Sequence, residues 1–158
     1  MQQTNGIFVA GSHNVIERCI LQAKQRYRSS DQQTFFFCKP IRKTGRHAIT
    51  LSTVHHLITA TPATGENADG FAAKLTCGEG NVFDGCISYC NCDDGWDLYA
   101  KPATGSTGVV TIKNCVAFGN GKLTNGEGSA NGDMNGFKLG GSNKQCPTPH
   151  VVTNCLCI

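Results

Sequence analysis

The chain has 158 residues and a formal net charge of +3, with 19 glycines and ten cysteines. A chain of this length forms one domain with a sizeable core, and no segment approaches the roughly 20 apolar residues of a membrane-spanning helix. The positive charge does not indicate a nucleic-acid partner, because residues 24–61 hold seven Lys or Arg and one acidic residue, which leaves a balance of −3 elsewhere. The first residues also lack the basic and apolar regions of a secretory signal.

An internal repeat organises most of the chain. Four segments share a polar residue, a glycine, a large apolar residue, any residue and another apolar residue: 5–9 (NGIFV), 69–73 (DGFAA), 94–98 (DGWDL) and 135–139 (NGFKL). Each is followed by a second segment that ends in cysteine: 14–19 (NVIERC), 81–86 (NVFDGC), 110–115 (VTIKNC) and 150–155 (HVVTNC). Short apolar runs bounded by turn residues predict two short strands per repeat, joined by loops of variable length.

Such repeats cannot bury their apolar faces alone and must stack on one another. Parallel stacking places equivalent residues about 4.8 Å apart on successive coils, and parallel crossovers are right-handed. The sequence therefore predicts an all-β fold, a right-handed parallel β-helix. In that arrangement one column contains the cysteines that end the second strands, Cys19, Cys86, Cys115 and Cys155. We expect a buried stack of thiols there, with disulfides as the alternative. Asn114 and Asn154, which precede two of these cysteines, are expected to hydrogen-bond from coil to coil.

One interval breaks the repeat. Gly6 and Gly70 are 64 residues apart, whereas Gly70 and Gly95 are 25 apart, so the first interval has room for at least one missing coil. Residues 24–61 show nothing of the repeat, and a structureless loop of that length, the plain alternative, is uncommon in a compact domain. Codons for residues 24–34 and 52–58, read one and two nucleotides on, can encode a glycine-containing repeat and a strand ending in Asn-Cys. We therefore hypothesise that residues 24–61 are read out of frame within a single partial β-helix domain, residues 1–158. The nucleotide sequence tests this.

Acidic residues fall into register when the repeats are aligned on their glycines. The column before the glycine contains Asp69, Asp94 and Asn135, and the column two places after it contains Ala72, Asp97 and Lys138. Side chains alternate along a strand, so the aromatic residue after each glycine is expected to face inward and the second column outward. We expect the acids and the lysine to face solvent together, with Asp93 at the turn that leads in.

Four carboxylates this close repel one another unless a cation neutralises them. Ca²⁺ suits such a cluster, because it takes six to eight oxygen ligands. Plain turns are the alternative, since Asp and Asn are common in them. Beside a bound cation and on an apolar strand, Lys138 is expected to have a lowered pKa, as a general base requires.

These segments resemble the polysaccharide lyase family nine pectate lyases, which are right-handed parallel β-helices. The likeness covers residues 1–23 and 62–158, and the segments that carry it are 67–74 (NADGFAAK), 80–86 (GNVFDGC), 93–99 (DDGWDLY) and 135–141 (NGFKLGG). The resemblance implies Asp69, Asp93, Asp94 and Asp97 as Ca²⁺ ligands and Lys138 as the catalytic base. The chain is much shorter than members of that family, so a truncated β-helix is expected.

The function that the resemblance implies is β-elimination on polygalacturonate by a secreted, monomeric protein with no nucleic-acid or membrane partner. No acid for the leaving oxygen is evident. Three further lysines could pair with uronates but are expected to be ordinary surface residues (Lys74, Lys101 and Lys144). Two alternatives stay open, a non-catalytic β-helix that binds acidic glycans and a catalytically inactive β-helix fragment.

Overall fold

The computed structural model describes residues 6–22, 41–43, 46–50, 67–122, 127–141 and 145–158. The first coil contains β1 (Ile7–Phe8), β2 (Asn14–Glu17) and β3 (Ile20–Gln22), and the chain continues with β4 (Ile41–Lys43) and β5 (Arg46–Thr50). The second coil contains β6 (Phe71–Ala72), β7 (Asn81–Asp84) and β8 (Ile87–Tyr89). The third contains β9 (Trp96–Asp97), β10 (Val110–Lys113) and β11 (Val116–Phe118), and the fourth contains β12 (Phe137–Lys138), β13 (Val151–Thr153) and β14 (Leu156–Cys157).

Equivalent strands of successive coils pair in parallel and build three sheets along the stack. Sheet one has the order β1-β6-β9-β12, sheet two β13-β10-β7-β2-β5-β4 and sheet three β14-β11-β8-β3. The predicted parallel β-helix is therefore confirmed, but each coil has three strands rather than two, because a short third strand follows each cysteine directly. Within the described residues there is no helix with the length and apolarity that crossing a membrane requires.

The register of sheet one follows the predicted columns. Trp96 pairs with Phe71 on one side and with Phe137 on the other. The three rings stack with centroid separations of 4.7 and 4.8 Å, and the Trp96 side chain is fully buried. Asp97 pairs in the same way with Ala72 and Lys138. Stacking of these inward aromatic rings therefore sets the register of the residues that directly follow them, Ala72, Asp97 and Lys138, on the opposite face of the sheet.

The repeat requires glycine because neighbouring coils approach each other closely at that position. A Cβ atom on Gly70 would lie 2.1 Å from the Ser88 hydroxyl oxygen, and one on Gly95 would lie 2.5 Å from the carbonyl oxygen of Gly136. Real Cβ atoms do not approach other atoms so closely, so any larger residue would push the coils apart. The glycine thereby keeps the acid that precedes it close to its equivalents on the next coil.

The first coil stacks directly on the second. Ile7 pairs with Phe71 and Val15 with Val82, and the backbone N–H of Gly6 donates to the carbonyl of Asp69 at 2.8 Å. These hydrogen bonds leave no rung between the two coils, and the hypothesis that a coil is missing from the interval between Gly6 and Gly70 stays a prediction.

Strand β5 pairs in parallel with β2 on the side away from the second coil, and β4 pairs antiparallel with β5. The rest of residues 24–61 lies outside the described residues, and the out-of-frame hypothesis stays a prediction.

The predicted cysteine column lies at the turn between the second and third strands. The thiols of Cys19, Cys86, Cys115 and Cys155 each donate to a backbone carbonyl at 3.1–3.4 Å. The last three are free thiols, of which Cys86 and Cys115 are buried. Thiols rather than disulfides are therefore confirmed for these three residues.

The two asparagines before the cysteines have a second role that the sequence pattern did not reveal. Asn154 donates through its side-chain amide to Asn114 at 2.7 Å, and Asn114 donates to Asp84 at 2.8 Å, so the predicted hydrogen bonds between coils are confirmed. Both asparagines also have a positive φ, of 56° and 50°. Asparagine tolerates this left-handed conformation better than most residues, so the same residue supplies both the turn and the link between coils.

The burial of His150 predicts that the stability of the stack depends on pH. Its Nδ1 accepts the backbone N–H of Val110 at 3.2 Å, and burial lowers the pKa of its ring. A lowered pKa means that the unfolded chain binds the proton more tightly, so this contribution to stability is present above about pH 6.5 and is lost as the pH falls below it. In His150→Asn, an amide oxygen replaces the ring acceptor and does not titrate. We expect the stability advantage of the wild type over this variant to shrink from pH 7.5 to pH 5.5 in urea unfolding curves. A difference that stays constant across this range would contradict the prediction.

Candidate metal centre

Two acids of the site form a hydrogen-bonded column along sheet one. Asp69 accepts the backbone N–H of Asp94 at 3.2 Å through Oδ1. Asp94 in turn accepts both the backbone N–H and the side-chain amide of Asn135, each at 2.9 Å. The column predicted from the repeat is confirmed. One oxygen of each carboxylate is thereby oriented by the next coil, and Oδ2 stays available for other partners.

Three carboxylates converge where this column meets the end of β9. One oxygen from each of Asp69, Asp94 and Asp97 lies within 4.8 Å of the other two. All three residues are buried, so the expectation that they face solvent is wrong. The chain before β12 packs closely on the turn that leads to β9, since a Cβ on Gly132 would lie 2.4 Å from the carbonyl oxygen of Cys92.

Asp93 is held apart from this group of three. Its Oδ2 accepts the backbone N–H of Asn67 at 2.6 Å, and its Oδ1 accepts that of Asp133 at 2.7 Å. The carboxylate therefore joins the turn of the second coil to the segment before β12. Burial raises the pKa of Asp93, although these two hydrogen bonds oppose the shift. Its part as a cation ligand stays a prediction.

Lys74 lies inside the acidic cluster, so the expectation of a surface lysine is wrong for this residue. Only 2% of it is exposed. Its Nζ donates to Asp69 Oδ2 at 2.8 Å, to Asp97 Oδ2 at 2.6 Å and to Asn67 Oδ1 at 3.2 Å. Burial lowers the pKa of Lys74, but the charges of Asp97 and Asp69 outweigh burial and raise it on balance. Lys74 is therefore a buried ammonium group. Lys101 is exposed as expected, and Lys144 lies outside the described residues.

Lys138 lies one rung beyond Asp97, as predicted, but its ammonium group reaches other acids. Its Nζ is 3.3 Å from Asp94 Oδ2, donates to Asp133 Oδ2 and lies 5.5 Å from the ring centre of Tyr99. Burial lowers the pKa of Lys138, but the hydrogen bond to Asp133 and the charges of Asp97 and Asp94 raise it on balance. The lowering of this pKa is expected beside a bound cation, and it stays a prediction.

The donor set fits a hard divalent cation. Burial and the charge of Asp97 raise the pKa of Asp69 to about 7 against the opposing effect of Lys74, and burial also raises that of Asp94. Asp94 Oδ2 is buried and accepts no hydrogen bond from any described residue, although the Lys138 ammonium lies nearby. Raised pKa values show that the negative charges of these buried carboxylates are not fully balanced by nearby positive groups. All the candidate ligand atoms are oxygens, which Ca²⁺ prefers.

A cleft of about 310 Å³ opens beside these residues. Its walls include Asp93, Asp97, Lys138, Asp133, Tyr99 and Lys101. The lining combines acids that can hold a cation with lysines that can meet an anionic ligand. The arrangement can therefore bring a cation, an anionic group and an amine together at one place.

Comparison with known proteins gives consistent matches. The model of the Pel9A-like right-handed β-helix region matches residues 1–158. Pectate lyase L of Paenibacillus polymyxa (strain SC2) is 42% identical over 163 residues, which is 96% of this chain and 33% of that protein. Pectate lyase L of Thermoclostridium stercorarium is 57% identical over 90 residues, 57% of this chain and 7% of that protein.

A solved structure, that of pectate lyase Pel9A, aligns with 96% of this chain and 34% of its own chain, with a TM-score of 0.58 and 28% identity. The chain spans about a third or less of the length of these curated relatives. The similarity therefore covers one part of much longer proteins.

Proposed function

Because this chain belongs to the family of Pel9A-like right-handed β-helices, we propose that it carries the active site of a calcium-dependent pectate lyase. The similar proteins named pectate lyase support this substrate class. The observation that supports the site most directly is that Asp94 Oδ2, a buried oxygen without a hydrogen bond among the described residues, lies 3.3 Å from the Lys138 ammonium. A candidate ligand and a candidate base are therefore in contact across neighbouring rungs. The family match also confirms the resemblance and the right-handed winding expected from the sequence.

In this proposal, Asp69, Asp94 and Asp97 hold the cation, and Asp93 is a fourth candidate ligand. Bound calcium would supply a Lewis acid for the uronate carboxylate, which makes the neighbouring C5 proton more acidic. Neutral Lys138 removes that proton through Nζ. The electron pair of the C5–H bond forms the C4–C5 double bond, and the C4–O4 bond breaks as the oxygen leaves with its electrons and takes up a proton from solvent. No water is added, so the product is an unsaturated uronide.

Two neighbours orient the base. Asp133 accepts from the Lys138 Nζ, and the Tyr99 ring lies 5.5 Å from it. Lysine side chains have many rotamers, and fixing one of them beforehand reduces the entropy cost of reaching the reactive arrangement. We further propose that the protein acts outside the cell, where its polymer substrate is found.

The test is an assay on polygalacturonate. The purified chain is incubated with the polymer and either calcium or a chelator, and absorbance of the unsaturated product is followed in the ultraviolet. Product that forms with calcium and stops with chelator is expected. Calcium-dependent binding of the polymer without product would instead favour the acidic-glycan-binding alternative. A folded chain that neither binds nor cleaves would point to an inactive fragment.

The variant Asp94→Asn tests the cation ligands. We expect calcium affinity to fall at least about tenfold, or about 1.4 kcal/mol, because an amide replaces a carboxylate whose Oδ2 is buried without a hydrogen bond among the described residues. The measurement is isothermal titration calorimetry.

Asp84→Asn is the matched control, because Asp84 likewise accepts from an asparagine of the next coil, Asn114, but lies on the outer side of sheet two beside Lys113. Equal calcium affinity in both variants would remove Asp94 from the ligand set.

A further inference from the structure

The Lys74 ammonium is enclosed by the side chains that would hold the cation. Its three N–H donors meet three acceptors, the Oδ2 atoms of Asp69 and Asp97 and the Oδ1 of Asn67, at 2.6–3.2 Å. Only 3% of the Lys74 side chain is exposed. An ammonium group with every proton donated and a buried stem has no solvated position to move to without abandoning two charged partners.

The other oxygens of the same carboxylates are fixed by the backbone. Asp69 Oδ1 accepts the N–H of Asp94 at 3.2 Å, and Asp97 Oδ1 accepts the N–H of Tyr99 at 2.9 Å. Each carboxylate is thus held at one end by the β-helix and at the other by Lys74. Their rotamers are therefore set from both ends, and the Lys74 ammonium links two coils that would otherwise present carboxylates to each other.

The charges in the cluster also favour a cation. The three carboxylates and the fixed Lys74 ammonium leave two negative charges, of which the Lys138 ammonium, 3.3 Å from Asp94 Oδ2, offsets one. Without the ammonium, three like charges within 4.8 Å would repel one another in a buried place where water screens them little. A carboxylate oxygen has more than one lone pair, so it can accept from Lys74 and still contact a cation.

We propose that Lys74 is a positioning residue of the cation site, which stays hydrogen-bonded to Asp69 and Asp97 when calcium is bound and holds both carboxylates in the ligating arrangement. This inference rests on the proposed calcium-dependent function. It assigns Lys74 neither to proton transfer nor to contact with the uronate chain.

The test replaces Lys74 with methionine, which has a similar length and no charge, and measures calcium affinity by calorimetry. We expect Lys74→Met to bind calcium at least about tenfold more weakly than the wild type, and Lys74→Arg, which keeps the charge and the donors, to recover part of the loss. Lys113→Met is the control, because it removes an exposed lysine that pairs with Asp84 outside the site, and its affinity is expected to match the wild type. A merely structural lysine would lower the unfolding temperature and leave the affinity of the folded protein unchanged.

Equal or tighter calcium binding by folded Lys74→Met would overturn the inference, since it would show that the ammonium is irrelevant to the cation or competes with it. If the wild type itself binds no calcium, the proposed function fails and the inference fails with it. If the methionine variant does not fold, a crystal structure of the calcium-loaded wild type decides: Lys74 Nζ within hydrogen-bond distance of both Asp69 and Asp97 supports the inference, and an ammonium turned away from them refutes it.

Discussion

Replacing Lys138 with alanine is expected to abolish the release of unsaturated uronides from polygalacturonate and to leave calcium binding in place. A positioned general base contributes roughly 10²–10⁴-fold to a rate, so the residual activity should fall to the background of an absorbance assay. Calcium affinity should not fall, because the substitution removes a positive charge 3.3 Å from Asp94, a candidate ligand. Both quantities are measured on the same preparation, by ultraviolet absorbance and by calorimetry.

The matched control is Lys113→Ala. Lys113 also pairs with an aspartate, Asp84, but on the outer side of sheet two. The control should retain wild-type activity. Full activity in Lys138→Ala would exclude this lysine as the base. If Lys138→Ala loses both its activity and its calcium binding, Lys138 maintains the structure of the site instead. The base would then have to be sought elsewhere in the cleft.

The acids around Lys138 control whether its side chain is neutral or charged. Burial favours the neutral amine, but Asp133, Asp97 and Asp94 favour the ammonium form and prevail. Two of these three acids, Asp94 and Asp97, belong to the group that can hold a cation. A cation bound by them would share the negative charge that now raises the pKa of Lys138. The proposed requirement for calcium therefore extends to the base as well as to the substrate.

The register of the site could be predicted because it depends on one dominant packing rule. The residue after each repeat glycine is large and apolar, so burying it sets the height of each coil, and the stacked rings of Phe71, Trp96 and Phe137 confirm this. Once the rings are aligned, the acid before the glycine and the residue two places after it must also align. The columns through Asp94 and Asp97 follow from this shared register, and period-two alternation accounts for Asp97 facing away from Trp96.

The position of Lys74 could have been found from the same rule but was missed. It lies two residues after Ala72, on the side of the sheet that also carries Asp97, and Ala72 is small. The coils stay paired beyond β6, since the N–H of Leu75 donates to the carbonyl of Tyr99 at 2.8 Å. Lys74 therefore aligns with Tyr99, two places beyond the column that contains Asp97. A lysine on the same face as that acid was a signal, and only its burial was unavailable from the pattern.

The depth of the acids and the stacking of the first coil could not be predicted for a different reason. Both depend on segments without the repeat. Residues 127–134 pack against the turn that carries the acids, as the close approach of Gly132 to the carbonyl oxygen of Cys92 shows. The spacing of the glycines does not say where such a segment packs. In the same way, 64 residues separate Gly6 from Gly70, yet the two lie on neighbouring rungs. The number of residues between two repeat glycines therefore sets only the maximum number of coils that can lie between them.

Replacing Trp96 with alanine is expected to destabilise the whole stack by about 3–5 kcal/mol, the usual range when a large buried aromatic side chain is lost. Trp96 stacks on Phe71 and Phe137 and meets Phe83 edge-on, with ring centroids 6.2 Å apart. Removing it therefore breaks contacts in three coils at once. Stability is measured by urea unfolding followed by circular dichroism. We also expect the substitution to disturb the site, because Asp97 follows Trp96 directly and its position in the sheet depends on the packing of that ring.

Two variants keep this prediction testable if Trp96→Ala does not fold. Trp96→Phe retains the aromatic stack and removes an indole N–H that is buried without an acceptor among the described residues, so its loss should be clearly smaller. Phe118→Ala removes the outer ring of a half-exposed pair with Tyr89, stacked at 4.7 Å, and should cost about 0.5–1.5 kcal/mol beyond the small area it buries. If Trp96→Ala were no less stable than Phe118→Ala, the aromatic column would not be what sets the rungs. Another feature, such as the close approach at the repeat glycines, would then have to align the acids.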